Sequence, residues 1–200
     1  IMDLQKIVIV RYNGGNIQSV ENALKRLGTQ AIVTDDPEEI LSADKVIFPG
    51  VGEAKSAMAY LKERELDKVL RSIKQPFLGI CLGQQLMCSH SEEGDTECLG
   101  IFDEKVKKFQ ALDTGLKVPH MGWNCVYDLK GDLYKGIDEK SYVYFVHSYY
   151  VEVGKDTVAT CDYIHPFTAS LQKDNYYSCQ FHPEKSADIG SKVLSNFISL

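Results

Sequence analysis

The stretch Pro76-Phe77-Leu78-Gly79-Ile80-Cys81-Leu82-Gly83-Gln84-Gln85-Leu86 decides the fold of this chain. It reads as a short apolar strand, a sharp turn with a glycine two residues on either side of Cys81, and the start of a helix. A cysteine at that apex is typical of a nucleophile elbow, in which the next residue's N–H faces a developing oxyanion. The alternative is a buried cysteine at an ordinary strand–helix junction, because unpaired cysteines are often buried.

The segments around this turn alternate between strands and helices. Apolar, β-branched runs predict strands over 6–10, 31–34, 45–48 and 77–80, and helical spacing of apolar residues predicts helices over 17–27, 37–41 and 53–73. Such alternation favours a parallel sheet with helices on both faces, which binds ligands beyond the carboxyl ends of its strands. The turns at 13–16 and 49–52 and the elbow at Cys81 should therefore meet at one crevice.

Beyond residue 99, strand-like segments joined by short turns dominate the chain. They cover 100–109, 117–128, 142–153, 157–163, 167–173 and 176–181, and a helix closes the chain over 186–200. We therefore expect an α/β fold with a mostly parallel central sheet, helices on both faces and a smaller antiparallel β section in the second half. All of it should form a single domain spanning residues 1–200.

Composition and charge exclude several classes of function. A net charge of −6 with scattered lysines and arginines gives no basic patch for nucleic acid. No apolar run is long enough to span a membrane, and the start lacks the regions of a signal peptide. The six cysteines form no Cys-x-x-Cys pairs, so we expect no metal and free thiols in a cytoplasmic protein. No phosphate loop is present, and we expect no cofactor.

His182 is the best candidate for the base that a thiol nucleophile needs, because a nearby imidazole promotes the thiolate. It directly follows an apolar strand, and Pro183 after it disfavours helical angles at His182. If the segment stays extended, the side chain of Glu184 is directed to hold the imidazole. The alternative interpretation of Glu184 is an acid that begins a helix.

The motif of residues 79–85 together with His182-Pro183-Glu184 resembles that of the class I (triad) glutamine amidotransferases. The resemblance to this family extends over essentially the whole chain. The segments 49–52, 118–124, 144–149 and 182–186 resemble, more narrowly, the glutaminase subunits of imidazole glycerol phosphate synthase from histidine biosynthesis. The chain departs from the family pattern at Arg11-Tyr12-Asn13-Gly14-Gly15-Asn16, where the sequence of most relatives is similar to Asp-Tyr-Gly-x-Gly-Asn. It also has Gln84 in place of the usual methionine.

The resemblance implies that Cys81 attacks the side-chain amide of L-glutamine, that His182 moves the protons and that Glu184 orients His182. The oxyanion hole would use the Leu82 N–H and an N–H from the Gly50–Val51 segment. In the family that peptide turns inward only in the active complex, so the free chain should be nearly inactive.

The resemblance also implies the substrate and partner contacts. The amino acid end of glutamine would be held by Gln85, Glu93 and the backbone of Ser148 and Tyr149. Glu92 is an alternative to Glu93. The alternative interpretation of Gln85 is a polar helix residue that faces solvent. The partner would be a (β/α)₈-barrel cyclase that forms a heterodimer with the chain, takes its ammonia and makes imidazole glycerol phosphate and aminoimidazole-carboxamide ribotide. The interface positions would be Asn16, His120, Met121, Trp123, Tyr144 and Lys185, with Trp123 also readable as a core aromatic.

Three other functions stay open at this level. The chain also fits a glutaminase subunit that serves anthranilate, carbamoyl phosphate, GMP or pyridoxal phosphate synthesis. A catalytically silent scaffold subunit is the second alternative, against which Cys81, His182 and Glu184 argue. The third is a thiol hydrolase or γ-glutamyl peptidase that acts alone.

Overall fold

The first half of the fold is a run of parallel strands and connecting helices, in a computed structural model that describes residues 4–12 and 17–200. The elements are β1 (Ile7–Val10), α1 (Ile17–Arg26), β2 (Ala31–Thr34), α2 (Pro37–Leu41), β3 (Lys45–Gly50), α3 (Ala54–Glu63), α4 (Leu66–Ser72), β4 (Phe77–Cys81) and α5 (Leu82–Leu86). Their strands pair in the order β2-β1-β3-β4, and each pairing is parallel. The alternation of apolar runs and helical stripes therefore predicted the four parallel strands of this half correctly.

The second half is mostly strand. It contains β5 (His90–Ser91), β6 (Thr96–Glu97), β7 (Lys105–Lys108), β8 (His120–Val126), β9 (Ser141–His147), β10 (Tyr149–Val151), β11 (Thr157–Tyr163), β12 (His165–Lys173), β13 (Tyr176–Cys179) and the closing helix α6 (Ala187–Ile198). Short 3₁₀ turns lie at Leu112–Thr114, Asp132–Tyr134 and Pro183–Lys185.

The strand β13 joins the two halves. It lies parallel to β4, with Cys179 opposite Ile80, and antiparallel to β12 on its other side. The sheet continues through β10, β7, β5 and β6, while β8 and β9 form a separate antiparallel pair. The prediction of a mostly parallel sheet with a smaller antiparallel section is therefore confirmed. Because β13 and β4 run the same way, the segments after both strands reach the same edge of the sheet.

Both faces of the sheet are covered. Val8 and Val10 pack on the side of α3 and α4, and Ile7 and Ile9 pack on the side of α1 and α6. The strands β1, β3 and β4 are buried at every position, which explains why their sequences are continuous rather than alternating apolar runs. Among residues 4–12 and 17–200, no helix is both long and apolar enough to cross a membrane.

The single long helix expected over 53–73 is wrong. The chain forms α3 and α4 instead, separated by Glu65, whose φ is +56°. The apolar stripe explains the break, because Leu61 and Leu66 are five residues apart and an uninterrupted helix would direct them to different sides. The left-handed residue turns the chain so that both leucines are fully buried.

The strand expected over 142–153 is interrupted at Ser148. The part before it, β9, pairs with β8, and the part after it, β10, pairs with β7 and β12 in the main sheet. The chain changes sheets at this residue, which places Ser148 and Tyr149 between the two sheets. The strand expected over 100–109 is also shorter, because only Lys105–Lys108 pairs.

Candidate active site

Cys81 occupies a strained turn between β4 and α5. Its φ of +56° and ψ of −111° lie in a region that residues with a side chain rarely adopt. The two flanking glycines are needed because there is no room for a side chain at either position. Their backbone angles are ordinary, since neither has a positive φ. A methyl group at Gly83 would overlap the Phe48 carbonyl oxygen, and one at Gly79 would overlap the Met87 sulfur. The interpretation of an ordinary strand–helix junction is therefore wrong.

His182 and Glu184 form a buried pair near this turn. Nδ1 of His182 is 3.2 Å from each carboxylate oxygen of Glu184. The segment does not stay extended as the sequence-based argument required, because Pro183–Lys185 is a 3₁₀ turn and only His182 keeps extended angles. The turn itself brings the carboxylate back to the ring.

The other nitrogen of His182 is available to Cys81. Nε2 is buried and has no hydrogen-bond partner among the residues that the structure describes. Burial lowers the pKa of His182, but the negative charge of Cys81 and the hydrogen bond and charge of Glu184 outweigh this and raise the pKa to about 10. Negative charge on either neighbour therefore stabilises the protonated His182 ring.

Cys81 opens onto a cavity of about 320 Å³, at the lower end of the range for small-molecule sites. The cavity is lined by Val51, Gly52, Cys81, Leu82, Gln85, Glu93, Pro119, Val146, His147, Ser148 and Tyr149. The residues expected to bind glutamine, which are Gln85, Glu93, Ser148 and Tyr149, are all among them. The sequence-predicted nucleophile and substrate residues therefore come together at one cavity.

Burial and cavity lining distinguish the positions of the alternative substrate residues. Gln85 is only 5% exposed and donates from Nε2 to the Tyr149 carbonyl oxygen, so it does not face solvent. Glu92 is exposed and accepts from the Lys108 N–H, whereas Glu93 lines the cavity. Burial raises the pKa of Glu93, while its hydrogen bond from the Ala54 N–H, at 2.8 Å, acts in the opposite direction.

The segment expected to form the oxyanion hole lies beside Cys81. The strand β3 continues to Gly50, which is opposite Cys81 in the parallel register, and Val51 follows at the cavity wall. Leu82 is the first residue of α5. The Tyr12 ring stacks on Phe48, and its buried hydroxyl lies against Gly50 without a partner among the described residues. Burial and the charge of Cys81 raise the pKa of Tyr12.

Sequence reasoning missed two side chains that hold the site together, those of Gln180 and Ser186. Gln180 donates from Nε2 to the Cys81 sulfur at 3.6 Å, and its Oε1 accepts from Gln85 at 3.0 Å. The Ser186 hydroxyl donates to the His182 carbonyl oxygen at 2.6 Å and accepts from the Tyr144 N–H at 2.9 Å. The spacing of two between Gln180 and His182, in an extended segment, was a usable signal for Gln180. Nothing local in the sequence indicated the role of Ser186.

The residues expected at a partner interface differ in their exposure. Met121 and Trp123 project from one face of β8 and are 63% and 53% exposed, so Trp123 is not a core aromatic. Tyr144, opposite Trp123 on β9, is half-buried, and Lys185 is exposed. His120 contradicts the expectation of a surface contact, because alternation along β8 turns it inward and leaves it 3% exposed. Asn16 lies outside the described residues.

Comparisons with known proteins agree with this geometry. Residues 8–200 match the family described as glutamine amidotransferase class-I. The imidazole glycerol phosphate synthase subunit HisH of Bacteroides fragilis (strain YCH46) is 55% identical over 98% of this chain and 100% of its own length. The subunit of the same name from Escherichia coli (strain K12) is 47% identical over 97% of this chain and 99% of its own.

A solved structure supports the fold independently. The crystal structure of a glutamine amidotransferase superposes with a TM-score of 0.73 at 18% identity, covering 96% of this chain and 97% of the other. The identity is too low to carry more than the fold. Taken with the match over residues 8–200 and the two close relatives, the chain belongs to the class-I glutamine amidotransferases, in the group of the HisH subunits of imidazole glycerol phosphate synthase.

Proposed function

We propose that this chain hydrolyses L-glutamine to glutamate and ammonia as the glutaminase subunit of an imidazole glycerol phosphate synthase, in histidine biosynthesis. The observation that carries the proposal is the position of Cys81 on the wall of a cavity of about 320 Å³, with the buried His182–Glu184 pair interacting with Cys81 from behind that wall. The sequence identity to HisH subunits covers the whole length of the chain and selects this system from the related amidotransferases.

The triad performs two linked displacements. The Cys81 thiolate attacks the carbonyl carbon of the glutamine side chain, and the His182 imidazolium gives its proton to the amide nitrogen, so that ammonia leaves and a γ-glutamyl thioester remains. His182, now neutral, takes a proton from water as the water attacks the thioester. Glutamate is released, and the thiolate–imidazolium pair is restored. Glu184 holds His182 in one orientation and stabilises its cationic form.

The cavity wall supplies the remaining groups. The Leu82 N–H and the Val51 N–H, once the Gly50–Val51 peptide turns inward, stabilise the oxyanion of each tetrahedral intermediate. Both hydrogens of the Gln85 amide are used within the chain, which leaves its carbonyl oxygen to accept from the substrate ammonium. Glu93 offers a second acceptor for that ammonium, and the backbone of Ser148 and Tyr149 offers donors for the carboxylate.

The ammonia passes to a partner subunit, which we propose is a (β/α)₈-barrel cyclase bound as a heterodimer. The partner-facing surface consists of Met121, Trp123, Tyr144 and Lys185. Exposed large apolar side chains next to one another, with a charged residue at the side, are typical of a protein–protein contact. We place the complex in the cytoplasm, where reducing conditions suit six unpaired cysteines.

A glutaminase assay of the chain with and without its synthase partner tests this function. We expect glutamate production in the complex, strong stimulation when the cyclase binds its nucleotide, and near inactivity of the free chain. The Cys81→Ala variant should bind the partner normally and produce no glutamate. Strong activity without any partner would indicate a hydrolase that acts alone. Stimulation by an anthranilate, carbamoyl phosphate, GMP or pyridoxal phosphate synthase, and not by the cyclase, would assign the chain to that system.

A further inference from the structure

A line of hydrogen bonds runs from the inner side of β8 to the wall of the glutamine cavity. Asn124 Nδ2 is 3.2 Å from His120 Nε2, and His120 Nδ1 is 2.9 Å from His147 Nε2. His147 Nδ1 is in turn 2.7 Å from the Tyr149 carbonyl oxygen. None of these three side chains belongs to the triad.

The line continues from that carbonyl to the nucleophile. Gln85 Nε2 donates to the Tyr149 carbonyl oxygen at 3.1 Å and to Gln180 Oε1 at 3.0 Å. Gln180 Nε2 donates to the Cys81 sulfur at 3.6 Å. The Tyr149 carbonyl therefore accepts from two sides, from His147 and from Gln85, and both bonds fix the orientation of this peptide.

The two ends of the line dictate the direction of every hydrogen bond in it. Asn124 must present its NH₂ group to His120, because its Oδ1 accepts from the Cys125 N–H at 2.8 Å and its Nδ2 also donates to the Asp162 carbonyl oxygen. His120 Nε2 is therefore an acceptor, and the ring proton is on Nδ1. At the far end the Tyr149 carbonyl only accepts, which requires the proton of His147 on Nδ1 as well.

The surroundings keep both imidazoles neutral. The His120 ring stacks between Tyr163, at 4.0 Å between centroids, and Phe145, at 4.8 Å. Phe167 packs edge-on against the His120 ring and at a tilt against the His147 ring. Burial in this aromatic cluster lowers the pKa of His120 to about 4 and that of His147 to about 3. A second proton on either ring would also place two donors against each other.

We propose that His120 and His147 are positioning residues for glutamine binding: a pair of neutral imidazoles, both protonated on Nδ1, that hold the Tyr149 carbonyl and through it Gln85. This inference rests on the proposed glutaminase function and adds two residues to it. It also gives His120 a role that fits its burial. Its strand carries Met121 and Trp123 on the opposite face, so the pair connects the partner-facing surface to the substrate wall.

The protonation pattern is measured directly on the full chain by long-range ¹H–¹⁵N correlation spectra of its histidine rings at pH 7. We expect His120 and His147 to show protonated Nδ1 and unprotonated Nε2, with the signals assigned by their loss in His120→Asn and His147→Asn. A proton on Nε2 of either ring would overturn the proposal. This measurement needs no activity, so it decides the arrangement of the pair even if the proposed function fails.

Substitutions that imitate one ring nitrogen at a time test the effect on substrate binding in the complex with the cyclase. The amide of His147→Asn reaches the place of Nδ1 and keeps a donor for Tyr149, whereas that of His147→Gln reaches the place of Nε2 and loses it. We expect His147→Gln and His147→Phe to raise the KM for glutamine about fivefold or more, the value of one lost hydrogen bond, with kcat changed less. His147→Asn should stay within about twofold of the wild type, because it keeps that bond.

The matched control is His165→Asn. His165 packs on Phe109 in the same aromatic cluster and its Nδ1 contacts the Pro166 carbonyl oxygen, but it takes no part in the line. Its KM for glutamine should equal that of the wild type. An unchanged KM in His147→Phe, or an equal rise in His165→Asn, would overturn the positioning role. A wild-type complex without glutaminase activity would instead contradict the proposed function.

Discussion

The nucleophile and its base are held in place in opposite ways. Cys81 is positioned by its own neighbours in the chain, because the strand before it, the helix after it and the two flanking glycines define the turn. His182 is positioned by distant segments. The strand β13 that precedes it pairs with β4, and the His182 N–H donates to the Tyr144 carbonyl oxygen at 3.0 Å. Glu184 and Ser186 add hydrogen bonds from the next four residues of the chain.

This difference determines which substitutions should affect the nucleophile and which should affect the base. The elbow is a local conformation that stores strain, so changes there act on the free energy of the turn itself. The base depends on contacts between segments that are far apart in sequence, so changes there act on its orientation and charge. The following substitutions separate the two, in order of decreasing expected effect.

Removal of the nucleophile should produce the largest loss. Cys81→Gly should lower glutaminase activity of the complex by about 10⁴-fold or more, since no other group forms the thioester. The same change should raise the free energy of unfolding by about 1 kcal/mol, because glycine adopts a φ of +56° without strain. Cys81→Ser is the control, with equal loss of activity and no relief of strain. Urea unfolding and a glutamate assay measure both quantities, and a destabilised Cys81→Gly variant would contradict the strained turn.

Loss of the charge behind the base should have the next largest effect. Glu184→Gln keeps the size of the side chain but removes the carboxylate that contributes to the raised pKa of His182. We expect kcat to fall about 10²- to 10⁴-fold with little change in the KM for glutamine, as for the third residue of other triads. Steady-state kinetics of the complex measure this split. A kcat within a few-fold of the wild type would indicate that Glu184 stabilises the 3₁₀ turn but does not contribute to catalysis through His182.

Crowding the elbow should reduce stability rather than chemistry. A methyl group at Gly83 meets the backbone oxygen of Phe48, which cannot move independently, so Gly83→Ala should cost about 3 kcal/mol of unfolding free energy. Gly79→Ala meets the flexible Met87 side chain first and should cost about half as much. Urea unfolding of the two variants compares them directly. Equal losses of unfolding free energy would mean that the Phe48 backbone shifts to accommodate the methyl group at Gly83.

The sequence predicted the local features and missed those that depend on distant contacts. The elbow, the four leading strands and the helices on both faces followed from apolar runs and glycine positions. The five-residue spacing of Leu61 and Leu66 indicates the break at Glu65, which the single helix expected over 53–73 does not include. The contact of Gln180 with Cys81 and the inward direction of His120 depend on the pairing of β13 with β4 and of β8 with β9. Neither pairing has a signature within its own segment.

The pH dependence of stability should show the smallest effect, and it separates two kinds of buried histidine. His120 and His147 have lowered pKa values of about 4 and about 3 in the folded chain, so the unfolded chain binds more protons below pH 6.5. Their contribution to stability is present above that pH and is lost as the pH falls through about 4. His182, with its pKa raised to about 10, acts in the opposite sense, and its contribution is present below pH 6.5 and lost as the pH rises toward 10.

Each of these groups changes the unfolding free energy by at most about 1.4 kcal/mol per pH unit in its own window. Urea unfolding between pH 4.5 and pH 9 should therefore show a decline on both sides of a neutral maximum. His147→Phe should flatten the acid side only, because it removes one neutral imidazole and leaves the triad intact. Glu184→Gln should flatten the alkaline side only, because the proton on His182 is then held less tightly. A variant that altered the opposite side would show that the two sets of histidines are coupled, and that the locally built and distantly supported parts of the site do not act independently.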